Sequence, residues 1–494
     1  MVDTTTLRGI SEIRGFFRTN ETPIHFISPT AFNLLGIDRW VRNFFFVNYF
    51  DSFEGTHPRV SVPEERPHPE FESSEDICHY LLTHQQVLKS VRSRGPGKAV
   101  FVFFDEETET LSEKAGLEVA LPSAELRHRL DSKIVTTQLG DEAGVPSVPN
   151  TLGHAESYEE LIGLASESGL GDDLVVQTPY GDSGKTTFFV DSKDDWEANE
   201  KEMAAQELKV MRRINPRALA VEACLTRHGT LVGPLMSDLT GHPELTPYQG
   251  GWCGNDISPD VVSPDLRERA RELTRRLGDR LAQEGYRGCV CIDYLVDVDA
   301  GELYLGEINP RLSGISSMTN VSASAYADMP LFLFHLLEYL DVDYEIDIDD
   351  INRRWSGHAE SDVWSQLVLK EPGVSVELLT AAPRTGIWRL AANGERAAGA
   401  SPRSPGTPGI AFSRWGNDWH SLHDDSEGFY LRVLAEGDYR YKGADLGILV
   451  TRARLQTDDN ELTPRCREWI EALRSQFAGT AVDGPAAADA LAFK

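Results

Sequence analysis

The stretch Arg287–Gly314, RGCVCIDYLVDVDAGELYLGEINPRLSG, reads as two strands joined by a tight turn. From Cys289 to Val296 the residues are β-branched and apolar, with Asp293 as the one acid, and Glu302 to Ile308 alternates polar with apolar. Asp299-Ala300-Gly301 suits a three-residue hairpin loop, with glycine where a positive φ is needed. That turn sets Asp293 opposite Glu307. Alternate residues of a strand share a face, so Asn309 lies beside Glu307, and Arg311 follows Pro310 at the strand's tip. One surface therefore carries two carboxylates, a carboxamide and a guanidinium. Hard oxygen donors beside substrate phosphates are what Mg²⁺ takes, the phosphates completing its octahedron. A neighbouring arginine neutralises charge on a transferring phosphoryl group or its acceptor. The plainer alternative is a surface hairpin bearing ordinary solvated acids.

The whole string, Asp293 followed fourteen residues later by Glu307-x-Asn309-x-Arg311, resembles the metal-binding end of the ATP-grasp superfamily. The nearest likeness is to its biotin carboxylase and carbamoyl-phosphate synthetase branch. The resemblance implies a chain of mixed α/β and α+β class. A small N-terminal α/β domain would occupy residues 1–110 and an ATP-grasp domain residues 111–350, with a lid near 174–222. A C-terminal α+β domain would span 351–478, followed by a flexible tail over 479–494. It further implies that Asp293, Glu307 and Asn309 hold two Mg²⁺ (or Mn²⁺) ions bridging the phosphates of ATP, and that Arg311 faces an acyl phosphate.

A chain of 494 residues is too long for one core, so about three domains are expected. Its 48 basic and 78 acidic residues leave a net charge of −30, a surface that repels nucleic acid and anionic membrane, so neither is an expected partner. Residues 1–17 lack a basic region followed by an apolar run, and the longest apolar stretch, Met329–Leu340, is too short to span a bilayer. The six cysteines form no CxxC pair, and Cys289 and Cys291 share one strand face as core thiols. A reduced, cytoplasmic protein is expected.

Upstream, PIHFIS at 23–28, FFFVNY at 44–49 and KAVFVFF at 98–104 read as strands, and Glu75–Ser93 has helical spacing. This alternation implies a parallel sheet with helical crossovers, and no GxGxxG marks it for a dinucleotide. Residues 1–20 read as an ill-defined lead-in, and a helix could open at Pro29. Ser123–Gly144 looks helical. The segment LDSKIVTTQLGDEAGVPSVP resembles the approach to the ATP-grasp lid, which gives Lys133 a contact to ATP phosphate.

The segment Asp173–Asp191, DLVVQTPYGDSGKTTFFVD, reads as strand, loop and strand. GDSGK is the start of a serine-protease nucleophile motif, but the Gly-Pro that continues it is missing. A Walker A loop would need glycine where Pro179 stands, and would lead into a helix rather than the β-rich Thr187–Val190. The third reading is the glycine-rich lid hairpin of ATP-grasp. In it Gly181, Ser183, Gly184, Lys185, Thr186 and Thr187 supply close backbone approach, donors and charge. The family's usual lysine on the entering strand is here Gln177, and Lys185 is the residue expected to replace it. Ser192–Leu208 reads as a charged helix.

Arg217–Leu225 reads as a strand at the hinge that grips adenine in the family, with Glu222 and Leu225 as nucleotide contacts by resemblance. GGWCGND at 250–256 reads either as a substrate-side loop or as structural packing. Pro264–Gly285 is an amphipathic helix. Ser313, Ser316 and Ser317 suit either an acceptor pocket or a helix cap. Short strand-like runs follow from 362, a loop covers 391–409, and Pro464–Phe477 is helical.

The resemblance implies a carboxylate–amine ligase, taking a small carboxylic acid and an amine through an acyl phosphate with release of ADP. Dimers are common among such relatives, so a homodimer is one expected assembly. Two alternatives stand beside it. One is a biotin-carboxylase-like enzyme forming carboxyphosphate, although no biotin-attachment segment is present. The other is a non-catalytic ATP-binding protein, which Gln177 would favour.

Overall fold

The computed structural model describes residues 6–482, apart from 70, 182–185, 205, 249, 359–361 and 391–408. Ser183, Gly184 and Lys185 of the expected lid loop therefore lie outside the described residues, as do the expected tail beyond 482 and the 391–409 loop apart from Gly409. The N-terminal strands form the expected parallel sheet, in the order Val60–Ser61, Phe44–Asn48, Ile24–Ser28, Gly97–Val100, Leu117–Val119, so the sheet runs past residue 110. Helices Ser74–Thr83, Gln85–Arg94 and Glu106–Ala115 make its crossovers.

Local chemistry revises several boundaries. The helix expected over 75–93 breaks at His84, whose Nδ1 accepts the Gln86 backbone N–H and so caps a new helix. The one expected over 123–144 breaks at Asp131-Ser132, where Ser132 caps Lys133–Glu142. The lead-in holds a helix, Gly9–Thr19, because Ile13 and Phe17 fall on one buried face. Only short 3₁₀ turns follow Pro29.

A second sheet, ordered Asn150–Gly153, Leu208–Arg212, Leu174–Gln177, Thr187–Val190, is antiparallel throughout. Helices Tyr158–Glu167 and Lys193–Met203 cover it, and Leu161, Val176, Trp196, Leu208 and Val210 close a core of its own. This lid sheet takes in the segment expected at 174–222 and adds Asn150–Gly153 upstream of it, and its last strand starts at Leu208, where the sequence suggested the charged helix still ran.

The central sheet has ten strands. The hairpin Gly288–Asp297 and Glu302–Asn309 lies at one edge, then come Pro216–Thr226, Gly229–Thr240 and Trp252–Ile257. The sheet continues through Trp364–Lys370, Asp445–Thr451, Glu427–Arg432, Gly386–Leu390 and Ile410–Arg414. Trp252–Asp256 of GGWCGND therefore lies in a strand, the structural-packing alternative, and it joins the two halves. Gly254 allows the join: with φ of 146°, it sits where a Cβ would lie 2.1 Å from the Gln366 carbonyl oxygen. Ala478–Ala481, expected at the start of a tail, pairs with Glu377–Ala381.

Helix Pro264–Gln283 packs on one face of the central sheet through Ala270, Leu273, Leu277 and Leu281. Each such leucine contributes on the order of 1.5–3 kcal/mol by leaving water. Helix Leu331–Tyr339, buried on all sides, supports the opposite face.

Candidate active site

The hairpin brings its carboxylates together as the sequence indicated. Cys291 pairs with Asn309, Ile292 with Ile308 and Asp293 with Glu307. The turn itself differs, since four residues, Val298 to Gly301, separate the strands. A bulge at Gly306 absorbs the extra residue and restores the register. Gly301 has the expected positive φ, 70°.

Between this hairpin and the lid sheet lies a cavity of about 200 Å³, lined by Lys133, Gln177, Gly181, Thr186, Thr187, Lys209, Asp238, Asp293 and Glu307 among others. Lys133 opens its helix and reaches both walls: its Nζ donates to the Gly181 carbonyl at 2.8 Å and lies 3.3 Å from Glu307 Oε2. Gln177 Nε2 donates to Thr187 Oγ1 at 3.0 Å, within the lid. Asn309 Nδ2 donates to Asp293 Oδ2 at 2.9 Å, and Arg311 Nη2 donates to Asn309 Oδ1 at 3.0 Å. The buried guanidinium of Arg311 lies 4.5 Å from the ring centre of Phe103, on the N-terminal sheet's side of the site. A larger open groove, about 710 Å³, lies between residues 66–72 and helix Ser74–Thr83 and contains none of these groups.

The carboxyls lining the cavity disfavour one another's charge. Burial pushes the Asp293 carboxyl well above the usual range, and the charges of Glu307 and Asp238 push it further. Burial likewise raises Asp238 to about 7, with Glu307 adding to the shift. Carboxylates that repel one another are relieved by a divalent cation. Among the described residues, no three His, Cys, Asp or Glu side chains form a cage that would hold a metal unaided. The donor set thus fits Mg²⁺ that arrives with phosphates and takes only one or two protein carboxylates.

Of the expected site residues, Asn309 and Arg311 meet this cavity only through Asp293, and Glu222 and Leu225 do not reach it. Glu222 is fully buried in the central sheet, where it accepts hydrogen bonds from the hydroxyls of Ser316 and Thr319. Leu225 packs into the core on the helix Pro264–Gln283 side. The chain crosses from the lid sheet to the central sheet at 213–215, between Leu208–Arg212 and Pro216–Thr226, upstream of both. Ser316 and Ser317 are likewise spent inside, on Glu222 and Gln366.

Sequence reasoning missed Lys209 and Asp238. Lys209 is buried and drawn down to about 8 by desolvation. Its signal was the alternation of Leu208 and Val210 with Lys209 and Met211, hidden by extending the preceding helix. Asp238 accepts from Asn255 Nδ2, and Asn255 Oδ1 in turn accepts from Gln366 Nε2 at 2.8 Å. Asn255 of GGWCGND thus links the C-terminal strands to the cavity wall, while Asp256 accepts the backbone N–H groups of Leu455 and Gln456 and serves packing.

No family model matches the chain. Among curated proteins, pyruvate carboxylase 1 of Caenorhabditis elegans is 27% identical over 213 residues, which cover 40% of this chain and 17% of that one. A butirosin acyl-carrier-protein–L-glutamate ligase of Niallia circulans is 22% identical over 272 residues, 51% of this chain and 61% of that one. The chain spans less than two thirds of the length of these curated relatives. Among solved structures, the biotin carboxylase domain of Hydrogenobacter thermophilus 2-oxoglutarate carboxylase, complexed with MgADP and bicarbonate, superposes with a TM-score of 0.56 at 12% identity. The match covers 93% of this chain and 91% of that one. N5-carboxyaminoimidazole synthase of Aspergillus clavatus, complexed with ADP, gives a TM-score of 0.52 at 12% identity, over 88% of this chain and 94% of that one. At these identities the likeness is one of fold.

Proposed function

We propose that this chain, whose fold is the ATP-grasp fold, is an ATP-dependent ligase that joins a small carboxylic acid to an amine. The observation that carries the reading is the meeting of Asp293, Glu307 and Lys133 in one cavity beneath the lid sheet, with Asn309 tying Arg311 to Asp293. A carboxylate cannot expel oxide at neutral pH, whereas an acyl phosphate expels phosphate. In the proposed reaction a carboxylate oxygen of the acid attacks the γ-phosphorus of ATP and ADP leaves. The amine nitrogen then attacks the acyl carbon and loses its proton, and phosphate departs as the C–N bond forms.

Asp293, Glu307 and Asn309 would hold magnesium ions, which when bound neutralise phosphate charge. Lys133 steadies the phosphates from the hairpin side, and Gly181, Thr186 and Thr187 approach them from the lid. Arg311, oriented by Asn309 and stacked on Phe103, faces charge developing at the acyl group. The lid keeps water from the acyl phosphate. A second reading takes bicarbonate as the acid. It is supported by the bicarbonate bound in the Hydrogenobacter structure.

The test is ADP release from Mg-ATP against pools of amino acids, small acids and bicarbonate, with mass spectrometry of the products. ADP formed only with an acid and an amine together, beside a product lighter than their sum by one water, is the expected result. ADP formed with bicarbonate alone would select the second reading. Mg-ATP bound but never turned over in any pool would overturn both.

A further inference from the structure

Lys209 is among the most deeply buried large side chains of the molecule, only 1% exposed. Its strand neighbours Leu208 and Val210 turn into the lid's own core, so Lys209 and Met211 face the cavity. Across the sheet it pairs with Gln177. Glu307 attracts its charge only from beyond contact distance. Among the described residues no ion pair or hydrogen bond engages its ammonium, whereas Lys133 is already shared between Glu307 and the Gly181 carbonyl. Gln177 is also engaged, through Thr187. An ammonium taken out of water without a hydrogen-bonded partner is costly, and an anion entering the cavity would relieve that cost.

We propose that Lys209 is a phosphate-binding residue, reaching the polyphosphate of the nucleotide from the lid wall while Lys133 reaches it from the hairpin wall. The inference rests on the nucleotide reading above. It moves the lid's cation from the strand Leu174–Gln177 to its antiparallel neighbour, where the cross-strand pairing of Gln177 with Lys209 keeps it at the same level of the cavity. Lid and phosphate are then coupled. The lysine sits on the lid sheet and faces the hairpin across the cavity, so bound polyphosphate would tie the two walls together.

The test uses calorimetric binding of Mg-ATP, Mg-ADP and adenosine to the full chain. Lys209→Met keeps the apolar stem and removes the charge. It should weaken Mg-ATP and Mg-ADP roughly ten- to a hundred-fold, as loss of a charge-assisted hydrogen bond does. Adenosine affinity and ligand-free melting temperature should hold, or the latter rise. The double variant Gln177→Lys/Lys209→Gln should recover most of the lost affinity. Equal weakening of adenosine and Mg-ATP would overturn the proposal in favour of a structural role. So would unchanged Mg-ATP binding in Lys209→Met, or a double variant that binds adenosine but no better than Lys209→Met holds Mg-ATP. Wild-type protein that binds neither Mg-ATP nor adenosine would overturn the nucleotide reading itself, and this proposal with it.

Discussion

At the scale of single residues, two carboxylates near the hairpin do opposite things. Glu307 faces the cavity and leans on Lys133. Replacing it with alanine should lower Mg-dependent turnover by roughly a hundred-fold or more, as removal of a transition-state charge partner does. Circular dichroism should stay unchanged. Turnover equal to wild type would remove Glu307 from the metal site. Glu222 faces inward, and burial raises its carboxyl from 4.5 to about 7. A folded pKa above the unfolded one means that the native chain binds the proton more tightly. The stability this contributes is full below about pH 4.5 and lost as pH rises through 7. By pH 8 the loss is about 3 kcal/mol. Glu222→Gln cannot ionise, yet keeps an acceptor for one hydroxyl and offers a donor to the other. Its melting temperature should therefore gain on wild type between pH 5 and pH 8, and parallel melting curves across that range would count against the assignment. The contrast also marks what the residues reveal unaided. Asp293, Glu307 and Asn309 were legible because strand alternation alone puts them on one surface. Glu222 was not, since its role depends on Ser316 and Thr319, about a hundred positions away, which no local pattern reports.

At the scale of elements, what could be read depended on how local the deciding contact was. The hairpin register at Asp293 was legible, but its four-residue turn and the compensating bulge were not, because the two cancel before the acids are reached. The hairpin Leu174–Gln177 and Thr187–Val190 was legible from the glycine loop between its strands, but the strand Asn150–Gly153 was not, as it joins that sheet only by pairing with Leu208–Arg212. Lys209 was missed for a different reason, since the expected helix ran through Leu208 and left the short strand Leu208–Arg212 unread. The glycines of GGWCGND suggested a turn, whereas Gly254 is there for close approach of backbone to backbone. Gly254→Ala should therefore cost several kcal/mol, through both strained φ and the clash with the Gln366 carbonyl, on the order of 3 or more. Urea unfolding would measure it. A loss below about 0.5 kcal/mol, ordinary for a surface change, would show that the strand pairing tolerates a side chain there.

At the scale of the whole molecule, the acidic surface and the parallel N-terminal sheet followed from composition and alternation. No helix among the described residues is long and apolar enough to cross a membrane. What composition could not convey is that the C-terminal strands extend the central sheet that carries the hairpin. The pairing of Trp252–Ile257 with Trp364–Lys370 spans more than a hundred residues of chain, and only the finished fold brings them together.

That pairing makes the C-terminal part inseparable from the half that carries the hairpin. A chain ending at residue 350 would turn Trp252–Ile257 into a raw edge, with the amide of Asn255 deprived of Gln366 and the brace on Asp238 loosened. Exposed edges recruit one another. Such a shortened chain should come out of a sizing column as aggregates, and a well-behaved monomer that still binds nucleotide would contradict this. For the lineage, the consequence is that this region cannot be traded like a bead on a string. Any exchange with a relative has to carry both strands of the seam at once, and with them one wall of the cavity.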